Sequence, residues 1–410
     1  MANRPIFNSL TQKIPEIRRD LEIIPIRDQN RNLLFFHDAL GYVPPNFALD
    51  ASAGPLLSIF SGAFSLEEIS RQLNSEIKKE ELLGFVQLLD EHAVLNSRNF
   101  QNLSKKTELE FENRKIRKPA LVGLSYPENA AELSSFLKGL EEIPDESQSH
   151  EKKLNALYAP HLDIRVAKQQ YFEAFSAIRN LKPKNVVILA TAHYAGHFPQ
   201  VYEHHPFIGS SKQFQIPGRT FEPDTSTLHK LAENSPENGF TLKDRAHRVE
   251  HSIEIHLLFA SQVWKHDFTI TPILIGSFDE LFYHKKGDLA QKIDRFTSQL
   301  SDLITEETFV LISGDLSHIG KKFGDEQPAS QLREKIEGFD NEFLTISQNG
   351  NAENLLKHVG REYDASRVCG FPPLYTYLKM FPKSNGKLIN YYWWDERERE
   401  SAVSIGSVLY

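Results

Sequence analysis

From Lys118 to the end of the chain, short apolar runs alternate with longer stretches whose apolar residues recur at helical spacing. Lys184-Asn185-Val186-Val187-Ile188-Leu189-Ala190, Phe268-Thr269-Ile270-Thr271-Pro272-Ile273-Leu274-Ile275 and Phe309-Val310-Leu311-Ile312-Ser313 each read as a strand buried on both faces. A strand covered by helices on both sides has no wet face, so the apolar–polar alternation of a half-exposed sheet disappears. Helical patterns fill residues 166–180 and 288–304 between them. This text predicts an α/β domain over 118–410: a central mostly parallel or mixed sheet covered by helices.

The first hundred residues read differently. A short β-containing start precedes helices, with Asp38-Ala39-Leu40-Gly41-Tyr42 as a turn. Ser65-Leu66-Glu67-Glu68 has the form of a capping box, after which Leu66, Ile69 and Leu73 fall on one helix face. A second helix from Lys79 carries Leu82, Leu83, Phe85, Val86, Leu88 and Leu89, and His92-Ala93-Val94-Leu95 suits a short strand or wing. Residues 1–100 are therefore expected to form a small α+β, winged-helix-like domain. Residues 101–117 alternate Lys105, Lys106, Arg114 and Lys115 with Glu108, Glu110 and Glu112, and read as a charged linker.

Composition removes several functions. The net charge is -8 with no basic block, and the second helix is close to charge balance, so no nucleic-acid surface is expected. Met1-Ala2-Asn3-Arg4-Pro5 leads into polar residues, and no apolar run reaches the length of a membrane span, so a cytoplasmic protein without a membrane segment is expected. Cys369 is the one cysteine, which rules out an intramolecular disulfide and a Cys-rich zinc site. A metal would fall mainly to the 16 histidines and the carboxylates.

In open α/β sheets ligands collect beyond the carboxyl ends of the strands. Three histidines follow apolar strands there: His161 after Leu157-Tyr158-Ala159-Pro160, His193 after Thr191-Ala192, and His318 at the end of Gly314-Asp315-Leu316-Ser317-His318. Neutral imidazoles directed by a rigid sheet are what a metal site needs. His251, in Val249-Glu250-His251-Ser252-Ile253-Glu254-Ile255-His256, is placed on a helix face with Ile255, as a ligand, an acid or base, or a supporting partner; His256 is the weaker candidate. Cys369, in a turn before Gly370-Phe371-Pro372-Pro373, can aim a thiolate into a pocket.

Pro160-His161, Ala192-His193, Glu250-His251-Ser252-Ile253-Glu254, Gly314-Asp315-Leu316-Ser317-His318 and Cys369-Gly370 occur in the order and approximate spacing of the Memo family, also called AmmeMemoRadiSam system protein B. The resemblance covers residues 118–410 and includes the closing Asn390-Tyr391-Tyr392 and Ser401-Ala402-Val403-Ser404-Ile405-Gly406. It implies a fold like class III extradiol dioxygenases and a metal on His161, His193 and Cys369, with His251, Asp315 and His318 lining the same cleft. Such a ligand set suits Fe(II) first, with copper or zinc as alternatives. Asp315 is expected to orient a histidine, and His251 or His318 to move protons.

The family usually continues its first histidine with Ala-Gly-Tyr, whereas Leu162-Asp163-Ile164-Arg165 follows here and brings a carboxylate and a guanidinium toward the pocket's edge. It usually has Gly-Pro before the second histidine, where this chain has Thr191-Ala192; His197 then offers an alternative ligand. The first domain resembles PqqD-like peptide-holding modules through Asp50-Ala51-Ser52-Ala53-Gly54-Pro55, Phe60-Ser61-Gly62 and Ser65-Leu66-Glu67-Glu68-Ile69. Two functions follow: a non-haem iron or copper redox enzyme, or a peptide- or protein-binding scaffold working with radical SAM or other protein-modifying partners. The cleft ligand would be a small molecule or a peptide.

Overall fold

A computed structural model describes residues 5–72, 78–139 and 155–410. Met1 to Arg4 and Leu73 lie outside the described residues. The chain divides into two compact units, Met1–Asn113 and Arg114–Tyr410.

In the first unit, strands Leu21–Asp28, Arg31–Asp38 and Ala48–Asp50 form an antiparallel sheet. Gln29 and Asn30 turn the first hairpin with φ of 43° and 69°, the left-handed pair that a two-residue hairpin loop requires. Ser65 and Glu68 form the expected capping box: the Ser65 amide donates to the Glu68 carboxylate at 2.7 Å, and the Glu68 amide to the Ser65 hydroxyl at 3.3 Å. Helices Leu66–Gln72 and Lys79–Glu91 then bury Leu66, Ile69, Leu82, Val86 and Leu89 against Phe36 and Leu57. The turn at Asp38 is held by its carboxylate, which accepts the amides of Leu40, Tyr42 and Val43 and pairs with buried Arg18 at 2.8 Å. Leu95 contributes an isolated bridge to Ile17.

The charged stretch expected to be a linker is mostly helix. Arg98–Glu112 is capped by the Ser97 hydroxyl, which accepts the Phe100 amide at 3.1 Å. Phe111 and Glu108 are buried on one face, and Glu108 accepts the Tyr42 hydroxyl. Composition concealed this, because the helix is strongly polar overall and its few buried residues stand among charged ones that read as a linker.

The second unit holds a nine-stranded mixed sheet. Its strands are β1 (Ala156–Ala159), β2 (Asn185–Thr191), β3 (Phe207–Gly209), β4 (Phe240–Thr241), β5 (Thr269–Ile275), β6 (Thr308–Ser313), β7 (His318–Gly320), β8 (Lys387–Glu396) and β9 (Ser401–Leu409). The middle reads β5-β2-β6-β1, all parallel. β3 runs antiparallel beside β5, and β4 parallel beside β3. On the other side β9 pairs antiparallel with β1 and with β7 along one edge, and with β8 along the other. Helices cover both faces. Val187, Leu189, Val310 and Ile312 pack against Phe296 and Leu300 of Asp288–Leu303 and Leu374 and Leu378 of Phe371–Met380. The helices Ile164–Ser176 and Ser252–Val263 stack Tyr171 and Phe175 on Phe259. A small sheet joins Ile116–Arg117 to Gln213–Ile216 and Arg219–Phe221. No helix among the described residues is long and apolar enough to cross a membrane.

Candidate metal centre

The four parallel strands end on one edge of the sheet, and the candidate residues stand in the loops that leave it. His161 follows β1, His193 follows β2, Asp315 follows β6, and His318 opens β7 just beyond it. Cys369 arrives from the loop before Phe371–Met380, 208 positions after His161. It comes close enough because two glycines face each other: a Cβ on Gly314 would sit 2.1 Å from the Gly370 Cα, and one on Gly370 would sit 2.2 Å from the Tyr158 hydroxyl. The Gly370 amide donates to the Asp315 carbonyl at 2.9 Å, and the Thr191 hydroxyl to the Cys369 carbonyl at 2.7 Å.

Two groups of donor atoms, each within 4.8 Å of one another, share His161: His161, His193 and His251, and His161, Asp315 and Cys369. The His193 and His251 rings stack at 5.0 Å, and His161 stands edge-on to both at 4.8 and 5.4 Å. His161 and Asp315 are buried at the base, while His193, His251 and His318 are partly open to solvent.

Hydrogen bonds decide which nitrogen of each ring faces inward. The Ser313 hydroxyl lies 2.7 Å from the Ser252 carbonyl, which can only accept, so its single hydrogen is committed there. Its oxygen, 3.1 Å from His161 Nδ1, must therefore accept an N–H, and His161 Nε2 keeps its lone pair. That lone pair faces the Cys369 Sγ at 3.3 Å. His193 donates from Nδ1 to the Glu250 carboxylate at 2.9 Å, which leaves its Nε2 on the cleft side. His318 donates from Nδ1 to the carbonyls of Leu316 and Arg367 at 3.1 and 3.0 Å. Three imidazoles are thus held with Nε2 committed to no backbone group, as metal-binding histidines are held by their outer partners.

Charge follows the same plan. Burial, and then the neighbouring rings of His193 and His251, hold His161 well below the ordinary histidine value. Burial lowers His251 and His318 to about 4 each. Burial would raise Glu250, but His193 beside it and the amides of His193, His251 and Ser252 outweigh this and take it to about 2. His193 is pushed down by burial and up by Glu250, and the carboxylate prevails. Burial raises Asp315 to about 6 and lifts the Cys369 thiol, against which His193 and the Asp315 amide, 3.3 Å from the sulfur, act in the thiolate's favour. The donor set fits a divalent cation that displaces the protons His193 and Cys369 otherwise hold: soft sulfur, imidazole lone pairs and one carboxylate oxygen.

Asp315 grips the backbone rather than a ring. Its Oδ1 accepts the amides of His161 and Leu162 at 2.8 and 3.1 Å, while Oδ2 stands 3.9 Å from His161 Nε2 and 4.0 Å from His318 Nε2. Glu250 and His251 are not on a helix face, since the helix begins at Ser252 and His251 is its N-cap. The reason is Glu250 itself, whose carboxylate takes the His251 and Ser252 amides and turns the chain before the helix starts. His256 is structural: its Nε2 reaches the carbonyls of Ala159 and Pro160 and braces the end of β1. Exposed His197 stacks on Tyr194 and belongs to neither donor group. Asp163 caps Ile164–Ser176 and pairs with Arg165.

Ser313 and Arg117 were not singled out in the sequence. Arg117 is buried, pairs with Glu254, and donates to the carbonyls of His247 and Glu250. Glu254 also accepts the amides of Ala120 and Leu121 and the Tyr126 hydroxyl. An arginine after a charged run carries no local mark of such a role; only the second glutamate of the Glu250–Glu254 block hinted at a cation to meet it.

Comparison with known proteins gives a consistent answer. A family model described as Memo-like protein matches residues 117–409. A MEMO1 family protein of Aquifex aeolicus is 25% identical over 365 residues, covering 87% of this chain and 90% of its own. The MEMO1 family protein TTHA0924 of Thermus thermophilus is 24% identical over 349 residues, 84% of this chain and 97% of its own. Both alignments are longer than the second unit and so reach into the first.

Proposed function

The chain belongs to the Memo family, and from that premise we propose that its second unit binds a divalent metal through His161, His193 and Cys369 and carries out redox chemistry there. The observation that supports this reading is the committed Nδ1 of each of the two rings, fixed by Ser313 and Glu250, with the Cys369 sulfur against the free nitrogen of His161. Two imidazoles and a thiolate favour Fe(II) or copper by ligand softness, with zinc as the redox-silent alternative. A bound Fe(II) or copper would supply one-electron exchange with dioxygen or a reductant.

The remaining residues prepare the cleft for that chemistry. His251 and His318 stay neutral at ordinary pH, because burial lowers them to about 4, so each can accept a proton from a bound substrate. Asp315 fixes the backbone of His161 and Leu162, and its amide donates to the sulfur, which spreads the thiolate's charge. Glu250 holds His193 and the start of Ser252–Val263 with a single carboxylate.

Elemental analysis of untagged protein tests the binding, and oxygen uptake with a catechol or a reductant tests the chemistry. Near-stoichiometric iron or copper is expected, lost in His161→Ala, His193→Ala and Cys369→Ala. Full activity in Cys369→Ala, or no metal after anaerobic reconstitution, would overturn the proposal and leave a peptide-holding scaffold that acts with protein-modifying partners. That second reading draws on a cavity of about 650 Å³ lined by His193, Tyr202, His205 and Lys292.

A further inference from the structure

A second cavity, of about 350 Å³, opens on the other side of the β2 and β5 ends. The two cavities share Ala192, Gly276 and Ser277 in their linings, so they adjoin beyond the ends of β2 and β5, one bordered by Cys369 and the other by His193. That shape suits an extended chain better than a compact molecule. The floor of the second cavity is apolar, made by Ile275, Val368, Phe371 and Pro372 beside Cys369.

Its rim is aromatic and acidic. Tyr363 lines the cavity and stacks on Tyr283 at 5.2 Å, with the rings nearly parallel at 12°. Both are unusually open for large rings, 61% and 65% exposed. Tyr363, Asp364 and Arg367 all have left-handed φ, near 51° to 55°, and the loop they form carries Tyr363 outward. Asp279 and Asp364 face the same space; Asp364 accepts the Val368 amide at 2.9 Å, and burial with the nearby Asp279 charge raises it to about 6. Among the described residues neither carboxylate is in an ion pair. The cavity's one arginine, Arg367, is engaged with Asp325 at 2.7 Å and with the His318 carbonyl at 3.1 Å. Apolar floor, open aromatic faces and two carboxylates, of which Asp279 is exposed, together complement a cation carried on an apolar stem.

We infer that this cavity is a binding site for an arginine or lysine side chain of an extended peptide whose neighbouring residues lie in the adjoining cavity. An arginine stem would rest on Phe371 and Val368 with its guanidinium between the carboxylates and the tyrosine faces. The site requires no metal and stands apart from the redox reading.

Calorimetric titration of the intact protein with acetyl-leucyl-arginyl-leucinamide tests it, against the same peptide carrying citrulline, which keeps the shape without the charge, and against spermidine. The arginyl peptide is expected to bind at least about tenfold tighter than the citrulline peptide or spermidine. Asp279→Asn and Tyr283→Ala, both at exposed positions and so expected to fold normally, should each weaken it by about threefold to tenfold. Metal content is measured on the same samples. Arginyl binding that falls in these variants while metal content stays unchanged supports the site, as does arginyl binding by protein that holds no metal. Equal binding of the arginyl and citrulline peptides, spermidine as tight as the peptide, or variants that bind like the wild type would overturn it.

Discussion

Ser313 is a small residue with a large effect on what His161 can do. Its one hydrogen goes to the Ser252 carbonyl, and that choice sets the protonation of an imidazole it merely accepts from. In Ser313→Ala, His161 loses this constraint, and metal affinity is expected to fall about tenfold to a hundredfold with little change in fold, as for other outer partners of ligating histidines. Competition against a chelator measures it, and wild-type affinity in the variant would show that the hydroxyl does not orient the ring. Behind the same loop, Asp340 accepts the hydroxyls of Ser317 at 2.6 Å and Tyr391 at 3.0 Å, and burial raises it to about 6. The folded value lies above the ordinary 3.8, so the folded chain holds this proton more tightly. Its contribution is fully present below about 3.8 and is lost as pH rises through about 6. Wild type should therefore lose stability relative to Asp340→Asn between pH 4 and 7.5 in urea unfolding, and a pH-independent difference would contradict the shift. His161 and His193 stand out in the sequence because each follows an apolar run, and Cys369 because it is the one cysteine. Ser313 and Asp340 do not, since serines and aspartates are common and their work is defined by partners far along the chain.

At the scale of elements, what could be read was the run of buried strands, whose apolar text admits few other readings. What could not be read was how the loops beyond them are joined. The Gly314–Gly370 approach lets the Cys369 loop touch the end of β6 backbone to backbone, and neither glycine marks itself in sequence. Gly370→Ala would drive a methyl into the Tyr158 hydroxyl and the Asp315 carbonyl, 2.2 and 2.8 Å away, where backbone cannot yield cheaply. A loss of about 1–3 kcal/mol or more is expected by thermal unfolding, together with loss of metal, because the same shift moves the sulfur. Unchanged stability would mean the loop has freedom its packing denies. The start of Ser252–Val263 and the helix Arg98–Glu112 depart from their sequence patterns for related reasons. In the first, a carboxylate captured the amides that would have extended the helix; in the second, a buried glutamate stood where a sequence pattern expects an apolar residue.

At the scale of the whole molecule, the candidate ligands all lie in the second unit, which also contains the residues matched by the Memo-like family model. Metal that binds only the folded second unit should stabilise it by about 2.7 kcal/mol at a free concentration one hundred times the dissociation constant, and so raise the midpoint of its unfolding. Calorimetry with and without Fe(II) under nitrogen checks this, and a metal that leaves every transition in place would not be bound at a native site. His161 and Cys369 stand 208 positions apart, with β2, β5 and β6 between them in sequence. A growing chain therefore makes one ligand long before the other, and no partial product can close the set. On the proposed ligand set, metal can be held only after Cys369 has been made and its loop has docked beside His161.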